Sequence, residues 1–287
     1  MDSFNGYLTS FMGYIDYSSC FHSVKALWII IGSVIFAGTV VSVIPQIQLI
    51  VANRSGFGLN TISICITSIG QFLLVINYIC LHSSDFVGIA QIPFSIAVQR
   101  LITFFNVFVL WFGYFFVVGA NFVFIDFKKR AKRDLESVNA DKKMNRIMTI
   151  LLISVFVLMG IMVPVIGVYY GFFSDLQRSI GESYGTISAI LVIAQYLPQM
   201  LTTIRLKDNG SLSMVMLMIQ APGGYASSMF MWIGNGDHWT TWLSIFLGAV
   251  QQTILLCICL YYKIQKRKLK GFSINSSTPL LVDNINY

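Results

Sequence analysis

Long apolar runs separated by short polar clusters dominate the chain. Seven stretches are long and apolar enough to cross a bilayer, at about residues 27–52, 59–81, 98–125, 147–173, 184–205, 212–235 and 239–263. A hydrocarbon core about 30 Å thick takes roughly 20 helical residues. Runs such as LWIIIGSVIFAG (27–38) and FFNVFVLWFGYFF (104–116) show no alternation of apolar and polar positions, which argues against the strands of a membrane barrel. Helices, which satisfy every backbone donor and acceptor internally, are the remaining way to span lipid. The pattern predicts an all-α integral membrane protein with seven transmembrane helices. The sixth is interrupted near its middle by Ala221-Pro222-Gly223-Gly224.

The polar breaks repeat. VIPQIQLIVANRSGFGLN (43–60) closes the first run, and YLPQMLTTIRLKDNGSLS (196–213) closes the fifth. Pro45-Gln46 and Pro198-Gln199 are 153 positions apart, and the same offset sets Arg54 on Lys207, Leu59 on Leu212, Asn60 on Ser213 and Gly70 on Gly223. Ala-Val-Gln at 97–99 returns at 249–251, one position out of that register. Each copy holds three runs and one run lies between them, giving a 3+1+3 plan. An odd linker helix keeps the two triple-helix units parallel, related by an axis along the membrane normal. That is a transporter plan, with the substrate site between the halves near mid-membrane.

Charge adds orientation. Of 19 Lys and Arg residues, 16 fall in one set of connections: Arg54, the 128–146 block, Arg205 and Lys207, and the block from Lys263 to Lys270. The excess of positive charge on cytosolic loops predicts a lumenal N-terminus and a cytosolic C-terminus. The expected divisions are a lumenal segment at 1–26, a first triple-helix repeat at 27–125, a basic cytosolic loop plus linker helix at 126–183, a second repeat at 184–264 and a disordered cytosolic tail at 265–287.

Composition narrows the classes. Only 11% of the 287 residues are charged and 56% are hydrophobic, against about 25% charged in a soluble domain. The net charge of +7 sits in short blocks between apolar runs, so it speaks for a membrane and against nucleic acid. The sequence holds no Gly-rich phosphate loop, no HExxH and no paired CxxC. Its five cysteines form no framework. No enzymatic chemistry, cofactor or metal is expected.

Two Pro-Gln pairs at matched cytosolic helix ends, each followed by a basic residue and a short turn, resemble the PQ-loop repeat family. That family includes cystinosin and lysosomal or vacuolar amino acid exporters, and more distantly the SWEETs and the KDEL receptor. The resemblance runs over about residues 27–264. It implies alternating-access transport of a small polar organic solute, an amino acid or related metabolite, across a lysosomal, vacuolar or other endomembrane. Two alternatives stand beside it: a KDEL-receptor-like sorting receptor, and a lipid scramblase or trafficking regulator.

Candidate residues follow. Pro45 and Pro198 each remove a donor and crowd the preceding turn, so they act as hinges or as static kinks. Gln46 and Gln199 bond the freed carbonyls or line the path. Pro222 and Gly223 expose backbone to a cavity or permit close packing. Buried polar side chains are costly in lipid and face the interior. Asn77, Gln195 and Gln220 are the leading candidates for solute contact, with Gln99 and Gln251 beside them. For each, a bond between helices is the competing role. No run carries Asp or Glu near its centre, which predicts weaker proton coupling than in cystinosin-like exporters.

Overall fold

A computed structural model of the chain describes residues 26–54, 59–83, 86, 94–124, 135–171, 174–208 and 212–276. Among these residues seven α-helices follow one another: α1 Ala26–Asn53, α2 Thr61–Leu81, α3 Phe94–Val123, α4 Leu135–Tyr170, α5 Asp175–Leu206, α6 Met214–Met229 and α7 Trp239–Ser276. Among the described residues there is no strand. All but α6 are long and apolar enough to cross a membrane unaided. The 16 residues of α6 run directly into a six-residue π-helix, Phe230–Asn235. The combined stretch reaches roughly 30 Å at close to 1.5 Å per residue, so seven spans stand.

The expected interruption at Pro222 does not occur, because α6 continues through Pro222 and Gly223. In membrane helices local adjustments absorb a missing donor. The change of pattern comes later, where the Phe230 N–H is shared between the carbonyls of Ala226 and Ser227. Pro45 and Pro198 likewise sit inside continuous helices. Two boundaries also move. Helix α4 begins at Leu135, within the expected loop, and α7 runs to Ser276, into the expected tail. Lys, Arg and Gln are good helix formers, so a helix need not stop where the hydrocarbon does.

The internal repeat extends to backbone conformation. Arg54 and Lys207 follow α1 and α5 with φ of 45° and 50°, the left-handed region. Asn60 then caps α2 by accepting from the Ser63 N–H, at 3.1 Å, and Ser213 caps α6 by accepting from the Met216 N–H, at 3.2 Å. Asn and Ser are preferred caps because the side-chain oxygen satisfies a donor that the first turn leaves orphaned.

The halves meet at α2 against α5 and at α1 against α6. Near the PQ motifs an apolar cluster including Ile50, Val117, Leu152, Leu217 and Leu255 draws together α1, α3, α4, α6 and α7. The linker α4 lies over α2 and α5, where Phe72, Phe156, Val163 and Tyr184 pack; the rings of Phe72 and Phe156 are 4.6 Å apart. Its other face, with Ile150, Val157, Leu158 and Ile161, is exposed and apolar, as a lipid-facing surface must be.

Candidate functional site: a central cavity and two crossed glutamine caps

Between the two repeats lies a cavity of about 280 Å³. Six helices wall it and α4 contributes nothing. Its polar lining comes from Thr39 and Ser42 on α1, Gln71 on α2, Asn106 on α3, Gln195 and Tyr196 on α5, Gln220 and Ser227 on α6, and Ser244 and Gln252 on α7. No lining residue is charged.

The side chain of Gln195 is nearly fully buried and its Oε1 accepts no hydrogen bond; the Oε1 of Gln71 is in the same state. A buried acceptor left alone is costly, and one that borders a cavity is a place for a donor. Other lining groups are already bonded. Asn106 Nδ2–H donates to Ser227 Oγ at 3.3 Å, and Asn106 Oδ1 accepts from Thr39.

On the PQ side a hydrogen-bonded layer closes the cavity. Gln220 Nε2–H donates to Ser42 Oγ at 3.2 Å. Gln220 Oε1 accepts from Tyr114 Oη–H at 3.3 Å and from Gln252 Nε2–H at 3.0 Å. Gln252 also donates to Tyr196 Oη, at 2.7 Å. The layer joins α1, α3, α5, α6 and α7. Beyond it is a smaller cavity of about 50 Å³ that both PQ glutamines line.

Those glutamines cross between the halves. Gln46 Oε1 accepts the backbone N–H of Ser213 at 2.8 Å, and Gln199 Oε1 accepts that of Asn60 at 2.9 Å. Each glutamine thus satisfies a donor at the helix cap of the opposite repeat. The two bonds map onto one another under the offset that relates the repeats. The sequence expectation had the glutamines bonding proline-freed carbonyls or lining a path. The geometry makes them acceptors for the partner repeat's α2 or α6. The matched register of Gln46, Gln199, Asn60 and Ser213 was visible in the sequence, but the crossing was not.

The other named residues fall as follows. Gln195 and Gln220 line the cavity, and so do Pro222 and Gly223. Asn77 does not. It is fully buried near the far end of α2, where Nδ2–H donates to the Gly181 carbonyl at 2.8 Å and to Thr240 Oγ1 at 3.2 Å, and Oδ1 accepts from Thr241 Oγ1 at 2.8 Å. Its amide ties α2 to α5 and α7, so it takes the competing role of interhelical bond. Gln251 also lies off the cavity and donates to the Ile193 carbonyl at 3.0 Å. The side chain of Gln99 lies outside the described residues. The residues that sequence reasoning passed over are Tyr114 and Tyr196, which read as apolar bulk until their hydroxyls find glutamines.

The end opposite the PQ motifs is also bonded across the halves. His82 Nε2 lies 3.5 Å from Asp237 Oδ1, a buried carboxylate in the turn before α7. His238 Nδ1 and Thr240 Oγ1 are 2.9 Å apart, and His238 Nε2 is 3.9 Å from Glu182.

Comparison with known proteins matches this geometry. A family model described as PQ loop repeat matches residues 27–87 and 180–240, which span α1–α2 and α5–α6. An uncharacterized protein of Schizosaccharomyces pombe is 35% identical over 78 residues; the match takes in 27% of this chain and 26% of that protein. The solved structure of a eukaryotic SWEET transporter superposes with a TM-score of 0.50 at 12% identity, over 83% of this chain and 99% of that one. At that identity the likeness is one of fold. Two repeats recognised at the same offset, each sending its glutamine to the other's helix cap, show that this helical membrane chain carries two PQ-loop repeats.

Proposed function

We propose that the protein carries a small, uncharged, hydrogen-bonding organic solute across the membrane by alternating access. The observation that supports this most is the cavity itself. It lies between two parallel repeats, draws on all six repeat helices, and leaves out the linker. Its volume falls near the lower end of the roughly 300–1,000 Å³ typical of small-molecule sites. Gln195 and Gln71 offer acceptors, so the solute presents hydroxyl or amide donors to them.

The lining favours neutrality. A free amino acid brings two charges, and burying an unpaired charge is far costlier than burying a bonded polar group. This narrows the expectation from the family resemblance, where amino acids and related metabolites lead. Proton coupling is weak in this reading, because no carboxylate borders the cavity.

The crossed caps of Gln46 and Gln199, backed by the Tyr114–Gln220–Gln252–Tyr196 layer, hold the PQ end shut. That end faces the cytosol, in keeping with the basic residues clustered there, and the N-terminus is lumenal. Opening parts the two bonds together, and Pro45 and Pro198 act as the hinges.

The test is uptake into proteoliposomes holding the purified full chain. Uncharged polyhydroxylated and amide solutes are compared with zwitterionic amino acids, with and without a pH gradient. Expected are uptake of an uncharged solute, little effect of the gradient, and loss of uptake in Gln195→Leu. Uptake confined to charged solutes, or driven by the gradient, would overturn the reading. A fluorescent-lipid flip assay on the same vesicles separates a scramblase from a solute carrier.

A further inference from the structure

The repeat relates two seams between the halves, α5 on α2 and α1 on α6, and they are not filled alike. In the α5–α2 seam Ser188 Oγ–H donates to the Gly70 carbonyl at 2.9 Å, and a Cβ built on Gly70 would lie 3.7 Å from Leu191. Moving each residue by the repeat offset gives its counterpart in the α1–α6 seam: Ile35 for Ser188, Gly38 for Leu191 and Gly223 for Gly70. Ile35 has no hydroxyl to donate. A Cβ on Gly38 or on Gly223 would meet nothing within 4 Å. Both glycines line the central cavity, together with Val34, Pro222 and Ala226, which are exposed. The lining residues on the other helices are buried or half-buried. The cavity therefore reaches the protein surface between α1 and α6.

That opening has a defined depth. Gly38 is close to the middle of α1, and Gly223 to the middle of the stretch formed by α6 and its π-helix. The centre of a spanning helix lies in the hydrocarbon, where the neighbouring molecules are acyl chains. The rim is apolar, and the unpaired Gln195 oxygen lies on the opposite wall, on α5. The linker α4 covers the seam at α2 and α5, so it does not shield this one.

We propose that an acyl chain of the surrounding phospholipid enters the bundle through this lateral window and packs against the apolar lining of Ile35, Leu74, Val107 and Leu110. The amides of Gln71, Gln195 and Gln252 are left for solute. The site thus has two kinds of ligand: a lipid tail from the side and a polar molecule along the bundle axis. This inference does not depend on transport.

It is tested on the full chain reconstituted with phosphatidylcholine that carries a photoactivatable diazirine at the middle of one acyl chain. After illumination, labelled residues are mapped by mass spectrometry. Leu74 on α2 and Leu110 on α3 line the cavity from inside and are the expected interior sites, while Leu158 on the lipid face of α4 reports general exposure. Gly38→Leu, which copies the Leu191 of the closed seam, and Gly223→Leu are each expected to bring interior labelling to background and leave Leu158 unchanged. Both add side chains into open space, so both fold; a wild-type Leu158 signal and elution profile check this. Wild-type protein with Leu74 and Leu110 unlabelled would overturn the proposal. So would interior labelling that persists in both variants, because the chain would then enter elsewhere.

Discussion

The two seams between the repeats descend from one pattern and have diverged in use. In both, a glycine on the first helix of one repeat meets a side chain on the second helix of the other. Gly185 faces Asn77, and its counterpart Gly32 faces Phe230. The seam of α5 and α2 then adds bonds along its length: Asn77 to Gly181, Ser188 to Gly70, Ser63 to the Gln195 carbonyl, and Gln199 to Asn60. The seam of α1 and α6 keeps the Gln46 cap and the Ser42–Gln220 bond but opens at Gly38 and Gly223. Lipid provides no hydrophobic force between helices, so close packing and hydrogen bonds decide which surfaces stay together. The lesson is that the fixed seam and the open seam differ by a few residues at matched positions, with α4 laid over the fixed one.

That contrast can be broken most severely at Gly185. A Cβ there would lie 2.5 Å from Asn77 Nδ2 and 2.7 Å from Thr240 Cβ. Overpacking typically costs about 1–3 kcal/mol and occasionally more. Gly185→Leu is expected to remove most of the folded protein, measured as the monodisperse fraction in detergent, whereas Gly38→Leu keeps it. Equal yields would mean that the seams are equally loose.

The crossed caps come next. Gln46→Leu and Gln199→Leu each leave a helix-end N–H without its acceptor, which costs about 1–3 kcal/mol while it stays buried. A bias of about 1.4 kcal/mol shifts a two-state equilibrium tenfold. Either variant is expected to make a cysteine placed at Thr67, inside the PQ end, react faster with a membrane-impermeant maleimide. The two effects should match because the bonds are matched. A change in only one variant would show that the repeats do not share the closure.

The prolines sharpen the hinge reading. Pro198→Leu and Pro45→Leu are expected to reach the membrane in near-normal amounts yet transport poorly, since restoring the donor straightens the helix and favours one state over the other. If uptake falls only in proportion to abundance, the prolines are structural.

The smallest expected effect separates binding from fastening. Interhelical bonds in membranes average about 0.6 kcal/mol, with the strongest near 1.7, so Asn77→Leu should lower the melting temperature modestly and leave solute affinity alone. Gln195→Leu should do the reverse, because its side-chain oxygen fastens no other helix. A loss of affinity in Asn77→Leu, in a binding assay on folded protein, would return Asn77 to the site.

Much of the architecture could be read from the sequence. Apolar runs of sufficient length leave helices as the structure that can cross lipid, and the Pro-Gln register exposed the repeat and its 3+1+3 order. Gln195 and Gln220 could be named because a buried amide in a span must face something polar. Asn77 passed the same filter and belongs to an interhelical hub, since the filter asks only whether a polar group has a partner. Tyr114 and Tyr196 failed it because an aromatic ring inside an apolar span looks apolar.

Local physics, then, was determined by the sequence itself: which segments are helical, and that the two halves repeat. Those properties depend on residues within a few positions of each other, or on a register that can be counted. Which repeat Gln46 and Gln199 bond, which seam is bridged by Ser188 and which stays open at Gly38, and which amides reach the cavity were decided by the tertiary structure. Each depends on two helices far apart in the chain arriving face to face, and a Gly-to-Leu difference between the two copies acquires its meaning only once they do.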